Sequence, residues 1–185
     1  MAEVLGRADR ATSSARLLRR EAVRVAILSA VVASFSFLLG SRFTALFHGS
    51  SATVGGLWSL ISAVVVLQAT RRATLDSAWR RLFGTFIGAA LSAIYLSLFP
   101  FSVAGLALCV GVSVLGGLVA GTPDHARLAA ITVAVVMVTA KADPTVSPLL
   151  DAALRFVESC IGTAITAAAV FAWPEALPAG RSYGP

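Results

Sequence analysis

Glu158 stands inside an apolar run, Phe156-Val157-Glu158-Ser159-Cys160-Ile161, where an ionised carboxylate is costly. Acids so placed face a cavity or a partner, and moving protons or solutes is the chemistry they serve. Arg155 lies three residues earlier, on the same face of a helix, within pairing reach. Two roles are open for Glu158: coupling to a proton or solute, or a structural ion pair with Arg155. Arg81 matches Arg155, because each stands seven residues before a glycine preceded by isoleucine, Ile87-Gly88 and Ile161-Gly162. A guanidinium grips a carboxylate through its planar fork, so both arginines are candidates for drawing in an organic anion. For Arg71, Arg72 and Arg80 the favoured role is a snorkelling or topology charge. Trp58 and Gln68 complete the candidate substrate path. Trp58 either stacks on an aromatic solute or anchors the chain at the membrane interface.

No catalytic set stands beside these residues. The serines are scattered singly through apolar stretches, and no Gly-Lys-Ser/Thr phosphate loop is present. Neither an enzyme nor a bound cofactor is expected. His48 and His125 fall on opposite sides of the expected membrane, so no metal site is expected either. Cys109 and Cys160 lie in apolar runs and read as small packing residues.

Composition sets the class. Of 185 residues, 57% are hydrophobic and only 13% charged, against roughly 25% charged in soluble domains. The chain lacks the polar surface to sit in water, and its expected surroundings are membrane lipids. Its net charge of +6 raises the question of nucleic acid, but the position of the charges argues against that partner. An inside amino terminus places twelve of the fifteen basic residues on the cytosolic side, leaving Arg42, Lys141 and Arg155 outside. That bias is orientation charge, and it places both termini in the cytosol.

Six apolar stretches are expected to span the membrane: 21–39, 54–70, 82–99, 102–121, 126–140 and 152–173. A span needs roughly 20 mostly apolar residues, and the second and fifth fall short of that. A basic cytosolic tail, 1–20, is expected to precede the membrane domain, 21–174. A second cytosolic tail, 175–185, follows it. Gly84, Gly88, Gly117, Gly121 and Gly162 are expected to let helices approach closely, as small residues do in membranes.

The stretch from Ile61 to Arg71 lines up with Ile131 to Lys141, just as Arg81 to Gly88 lines up with Arg155 to Gly162. Three spans per copy is an odd number, so the second copy would enter from the opposite side. The expected fold is an all-α membrane protein of six helices, arranged as an inverted 3+3 repeat. Such repeats commonly hold a substrate site where the copies meet.

The order of Trp58 to Gln68, Thr74-Leu75, and Trp79-Arg80-Arg81-Leu82-Phe83-Gly84-Thr85-Phe86-Ile87-Gly88 resembles the fusaric acid resistance protein-like family. Arg127 to Val133 and Arg155 to Gly162, ending in Trp173-Pro174, look like the second half of its module. The resemblance covers roughly 21–174. It implies a bacterial inner-membrane module of six helices, with relatives among aromatic acid exporters and, more distantly, plant malate channels. It implies export of organic, above all aromatic carboxylic, anions, driven by the proton gradient. Larger relatives carry two such modules, so a homodimer is the expected assembly here. Two other functions stay open: a passive anion channel, and a non-transporting scaffold or accessory subunit.

Overall fold

The computed structural model describes the backbone of residues 2–172, and the side chains of residue 19 and residues 22–172. Among the described residues six α-helices follow one another: α1 Ala2–Phe47, α2 Ala52–Val66, α3 Arg71–Leu98, α4 Val103–Val119, α5 Pro123–Ala142 and α6 Pro148–Ala172. A 3-10 turn, Gly49–Ser51, leads into α2. No strand occurs among the described residues. Trp173, Pro174 and the tail 175–185 lie outside them.

Local chemistry sets the helix ends. Thr70 accepts a hydrogen bond from the Ala73 amide at 3.2 Å and caps α3. Ser102 does the same for α4 through the Gly105 amide at 3.0 Å. Pro123 opens α5, where its missing N–H costs nothing. Gly121 ends α4 with φ +69°. The Thr122 amide bonds the Gly117 carbonyl and the Gly121 amide bonds that of Leu118, the paired bonds that a left-handed glycine makes possible. Gly121 was grouped above with the packing glycines. Instead it terminates its helix, and a side chain there would meet nothing within 4 Å.

Among the described residues, five segments are long and apolar enough to cross a membrane, starting with residues Ala22–Phe47 of α1. The remaining helix, α4, is apolar but has only 17 residues. Span lengths differ from expectation. The fifth helix is not short but has 20 residues, because polar Asp124, His125 and Lys141 continue it at both ends. The third likewise begins at Arg71, eleven residues before its apolar core. In α1 the helix runs unbroken from the basic segment into the first span.

The polarity of the molecule is turned inside out. Phe35, Leu38, Leu39, Leu108, Leu115 and Val119 are exposed, as faces toward lipid must be. Three of the four largest fully buried side chains are charged: Arg81, Arg155 and Glu158. An apolar cluster of Cys109, Val133 and Met137 with Leu91, Tyr95 and Phe101 fills the space between α3, α4 and α5. Both cysteines are free thiols.

Helix α1 packs on α2 and α4 on α5; α2 packs on α6 and α5 on α3; α3 and α6 meet each other. The glycines make these approaches possible. A side chain at Gly88 would run into the Ala129 carbonyl, and one at Gly162 into the Ser59 carbonyl. Gly84 is pressed on Leu128 and the His125 carbonyl, and Gly117 on Ala126. With Ile61 aligned on Ile131, Ser59 stands opposite Ala129, so Gly88 and Gly162 meet matching partners. We expect Gly162→Ala to force α6 away from the α2 backbone and cost about 1–3 kcal/mol. Thermal unfolding in detergent checks this, and a midpoint equal to the parent's would contradict it.

Candidate functional site

The interior holds two arginine centres, one on α6 and one on α3. On α6, Asp151, Arg155, Glu158 and Gly162 recur at helical spacing and form one face. Arg155 and Glu158 are both fully buried, with Arg155 Nη1 2.9 Å from Glu158 Oε2. Arg155 Nε lies 3.4 Å from Asp151 Oδ1. These contacts hold by charge, since the N–H directions miss the carboxylate oxygens. The carboxylates gain further donors. Thr44 of α1 donates to Glu158 Oε1 at 2.5 Å, and Thr139 of α5 donates to Asp151 Oδ2 at 2.6 Å. Gly55 leaves room for the Glu158 carboxylate and the Thr44 hydroxyl, both of which a side chain there would strike. One guanidinium thus stands between two acids, with α1, α2, α5 and α6 around them.

The α3 centre carries no acid. Arg81 is 1% exposed. Its Nε and Nη2 donate to Ser62 Oγ at 3.2 and 3.0 Å. The Trp58 ring lies against its guanidinium, 4.7 Å from the ring centre. No carboxylate lies within 4 Å of it among the described residues. Ser62 is the hub of this centre. Its hydroxyl donates to the Trp58 carbonyl at 2.9 Å and meets Ser159 Oγ at 3.1 Å. Ser62 accepts from Arg81, and its one proton is shared between the Trp58 carbonyl and Ser159 Oγ. One hydroxyl thereby ties α2, α3 and α6 together. Ser59 adds a second link, donating to the Glu158 carbonyl at 2.9 Å.

Four of the five residues singled out above therefore lie in the interior: Arg81, Arg155, Glu158 and Trp58. Trp58 is 4% exposed, so it faces inward and does not anchor the chain at an interface. Gln68 is not with them. It follows the end of α2, exposed, and its side-chain amide donates to the Val65 carbonyl at 3.1 Å. Leu67 closes α2 in extended backbone, which turns Gln68 out of the helix face that carries Trp58 and Ser62. Arg80 also stays outside, on Asp76 and on Asp124 of α5.

Thr44, Gly55, Ser62, Asp151 and Ser159 were not singled out from the sequence. Asp151 sits at a helix start beside a proline loop, where a carboxylate ordinarily caps a helix in water. Single hydroxyls in apolar helices carry one available signal: in a membrane they are drawn to helix interfaces.

One polar cluster lies between helices. Ser50 donates to Asp143 Oδ2 at 2.9 Å, Thr145 donates to Asp143 Oδ1, and His48 Nδ1 lies 3.7 Å from Asp143 Oδ2. The Thr145 and Ser50 hydroxyls hold the Asp143 carboxyl below its usual range. A depressed carboxylate stabilises the fold above its unfolded pKa, about 3.9, and loses that contribution as pH falls through its folded value. The loops at 48–51 and 143–147 should therefore stay joined at pH 4 and part only in stronger acid. Hydrogen exchange of residues 143–147 against pH measures this; parting at pH 5 would contradict it.

A family model described as fusaric acid resistance protein-like matches residues 31–169. That stretch contains both arginine centres. Neither a curated protein nor a solved structure matches the chain.

Proposed function

The chain belongs to the fusaric acid resistance protein-like family, and on that premise we propose that it exports organic anions, aromatic carboxylates foremost, across a bacterial inner membrane. Family membership implies a membrane transport role in general; the substrate class and the energy source are the further step. The observation that carries the proposal is Arg81, a buried guanidinium with no acid beside it among the described residues. A lone buried charge is destabilising by several kcal/mol. A site that retains one gains from an anion that visits it. Arg155, by contrast, already faces two carboxylates. Glu158 is the coupling group in this scheme. A proton taken up on its carboxylate weakens its hold on Arg155, and the α1, α2 and α6 contacts around it loosen together.

The halves act as an inverted 3+3 repeat, with both termini cytosolic and the path between α2, α3, α5 and α6. The matching contacts of Gly88 and Gly162 support the repeat. The twelve-to-three division of basic residues supports the orientation. Two copies form the working homodimer.

Flux of labelled benzoate and succinate into proteoliposomes, with and without a pH gradient, tests the scheme. We expect gradient-dependent benzoate uptake in the parent and loss of the gradient dependence in Glu158→Gln. Voltage-driven current with no need of a gradient would identify a passive channel. Absence of flux from a well-folded chain bound to another protein would identify a scaffold.

A further inference from the structure

Beside Arg81 two buried groups have no protein partner. The indole Nε1 of Trp58 makes no hydrogen bond, and neither does the hydroxyl of Thr85, which is 0% exposed. Thr85 follows Arg81 by one turn of α3, so the two share a face. Trp58 touches the Arg81 guanidinium directly. Ser62 takes Nε and Nη2 of that guanidinium, which leaves Nη1 without a protein partner among the described residues.

Among the buried hydroxyls of the described residues, Thr85 shares its lack of a partner only with Ser36 and Thr163. Ser92 bonds the Gly88 carbonyl one turn back, Thr132 that of Leu128, and Thr166 that of Gly162. That bond is the ordinary refuge of a hydroxyl in an apolar helix. Buried polar groups in native proteins nearly always find a partner. Two that lack one, the first in ring contact with an arginine that lacks an acid and the second one helical turn from it on the same face, share an explanation: one oxygen-bearing ligand answers all three.

Building on the anion-export reading, the structure assigns the Trp58 indole N–H and the Thr85 hydroxyl as the second and third donors to the carboxylate received by Arg81. An ionised carboxylate is acceptor-only, with room for about four hydrogen bonds, and it satisfies every one of these donors. A neutral amide brings two N–H groups of its own and leaves donors facing donors. The three residues therefore select a carboxylate over its amide.

The test uses the full chain in detergent, with benzoate as the probe and benzamide as the comparison. Trp58→Phe keeps an aromatic ring on Arg81 and removes the N–H. Thr85→Val keeps the shape and removes the hydroxyl. Each is expected to weaken benzoate binding about tenfold and to narrow the preference over benzamide. Without benzoate, Thr85→Val should melt at or above the parent temperature, because no protein hydrogen bond is lost, while Trp58→Phe should melt somewhat lower, because part of a buried ring is removed. Thr85→Ser should bind like the parent. So should Thr163→Val, which removes a buried unpartnered hydroxyl of α6. Parent-like affinity in both Trp58→Phe and Thr85→Val would overturn the assignment. So would a lowered melting temperature in Thr85→Val with affinity unchanged, which marks a structural role. Arg81→Gln separates the two levels. If it abolishes benzoate binding while the other variants retain it, only the donor assignment fails. If it binds like the parent, or the parent binds no benzoate, the anion site itself fails.

Discussion

Arg155→Met is expected to leave a chain that barely assembles, destabilised by about 3–5 kcal/mol. The side chain fits the space well enough, but its loss strands two buried carboxylates, Asp151 and Glu158, opposite no cation. Leaving an uncompensated charge costs far more than the pair itself contributes, since most of the pair's attraction is spent on removing both partners from water. Thr44 and Thr139 each offer only one neutral donor, too little to hold a full charge in an apolar surround. The triple variant Asp151→Asn, Arg155→Met, Glu158→Gln should recover much of the loss, because it removes all three charges at once. Thermal unfolding and monodispersity in detergent read both effects. An Arg155→Met protein that melts with the parent would show that its acids do not depend on it.

Arg81→Gln should do the reverse: transport falls at least tenfold while stability stays near the parent's or rises. The two arginines match in sequence but not in surroundings. Arg81 has a ring contact worth up to about 2 kcal/mol when desolvated and hydrogen bonds to Ser62 worth about 1.5–3 kcal/mol. Against these stands a desolvation cost of several kcal/mol with no acid to offset it. The sum lies near balance, so removing the guanidinium costs the fold little. On the proposed reading, the loss falls on the visiting anion. Benzoate flux and melting temperature, measured on the same preparation, decide the matter. Full flux in a stable Arg81→Gln protein would remove Arg81 from the path, and a collapse in stability would make it structural.

Much of this was legible in the chain. Arg155 and Glu158 stand three apart on one helix, so their pairing follows from local geometry. The glycines at 84, 88 and 162 were visible because an apolar helix has few other reasons for small residues at that spacing. The cap chemistry at Thr70 and Pro123 is present in the chain, yet the third and fifth spans, expected from 82 and 126, begin at Arg71 and Pro123. What escaped was of two kinds. Contacts such as Thr44 with Glu158, or Ser62 with Arg81, join residues from different helices, and no local pattern encodes them. Apolar composition also misjudged lengths: polar residues at both ends of α5 stay helical, and Gln68 leaves its helix one residue beyond Leu67. Gly121 shows a third limit, since one spacing serves both helix contact and helix termination.

The internal pairing on α6 bears on how the chain enters its membrane during synthesis. Arg155 sits on the same helix as Asp151 and Glu158, so α6 delivers its guanidinium to the insertion machinery with its counter-charges already beside it. Helix α3 has no such provision, because the residues that shelter Arg81, Trp58 and Ser62, belong to α2. The ribosome makes α2 first, and the connection between them spans only residues 67–70. With so short a connection the two should enter together, with Trp58 and Ser62 available to the arginine from the start.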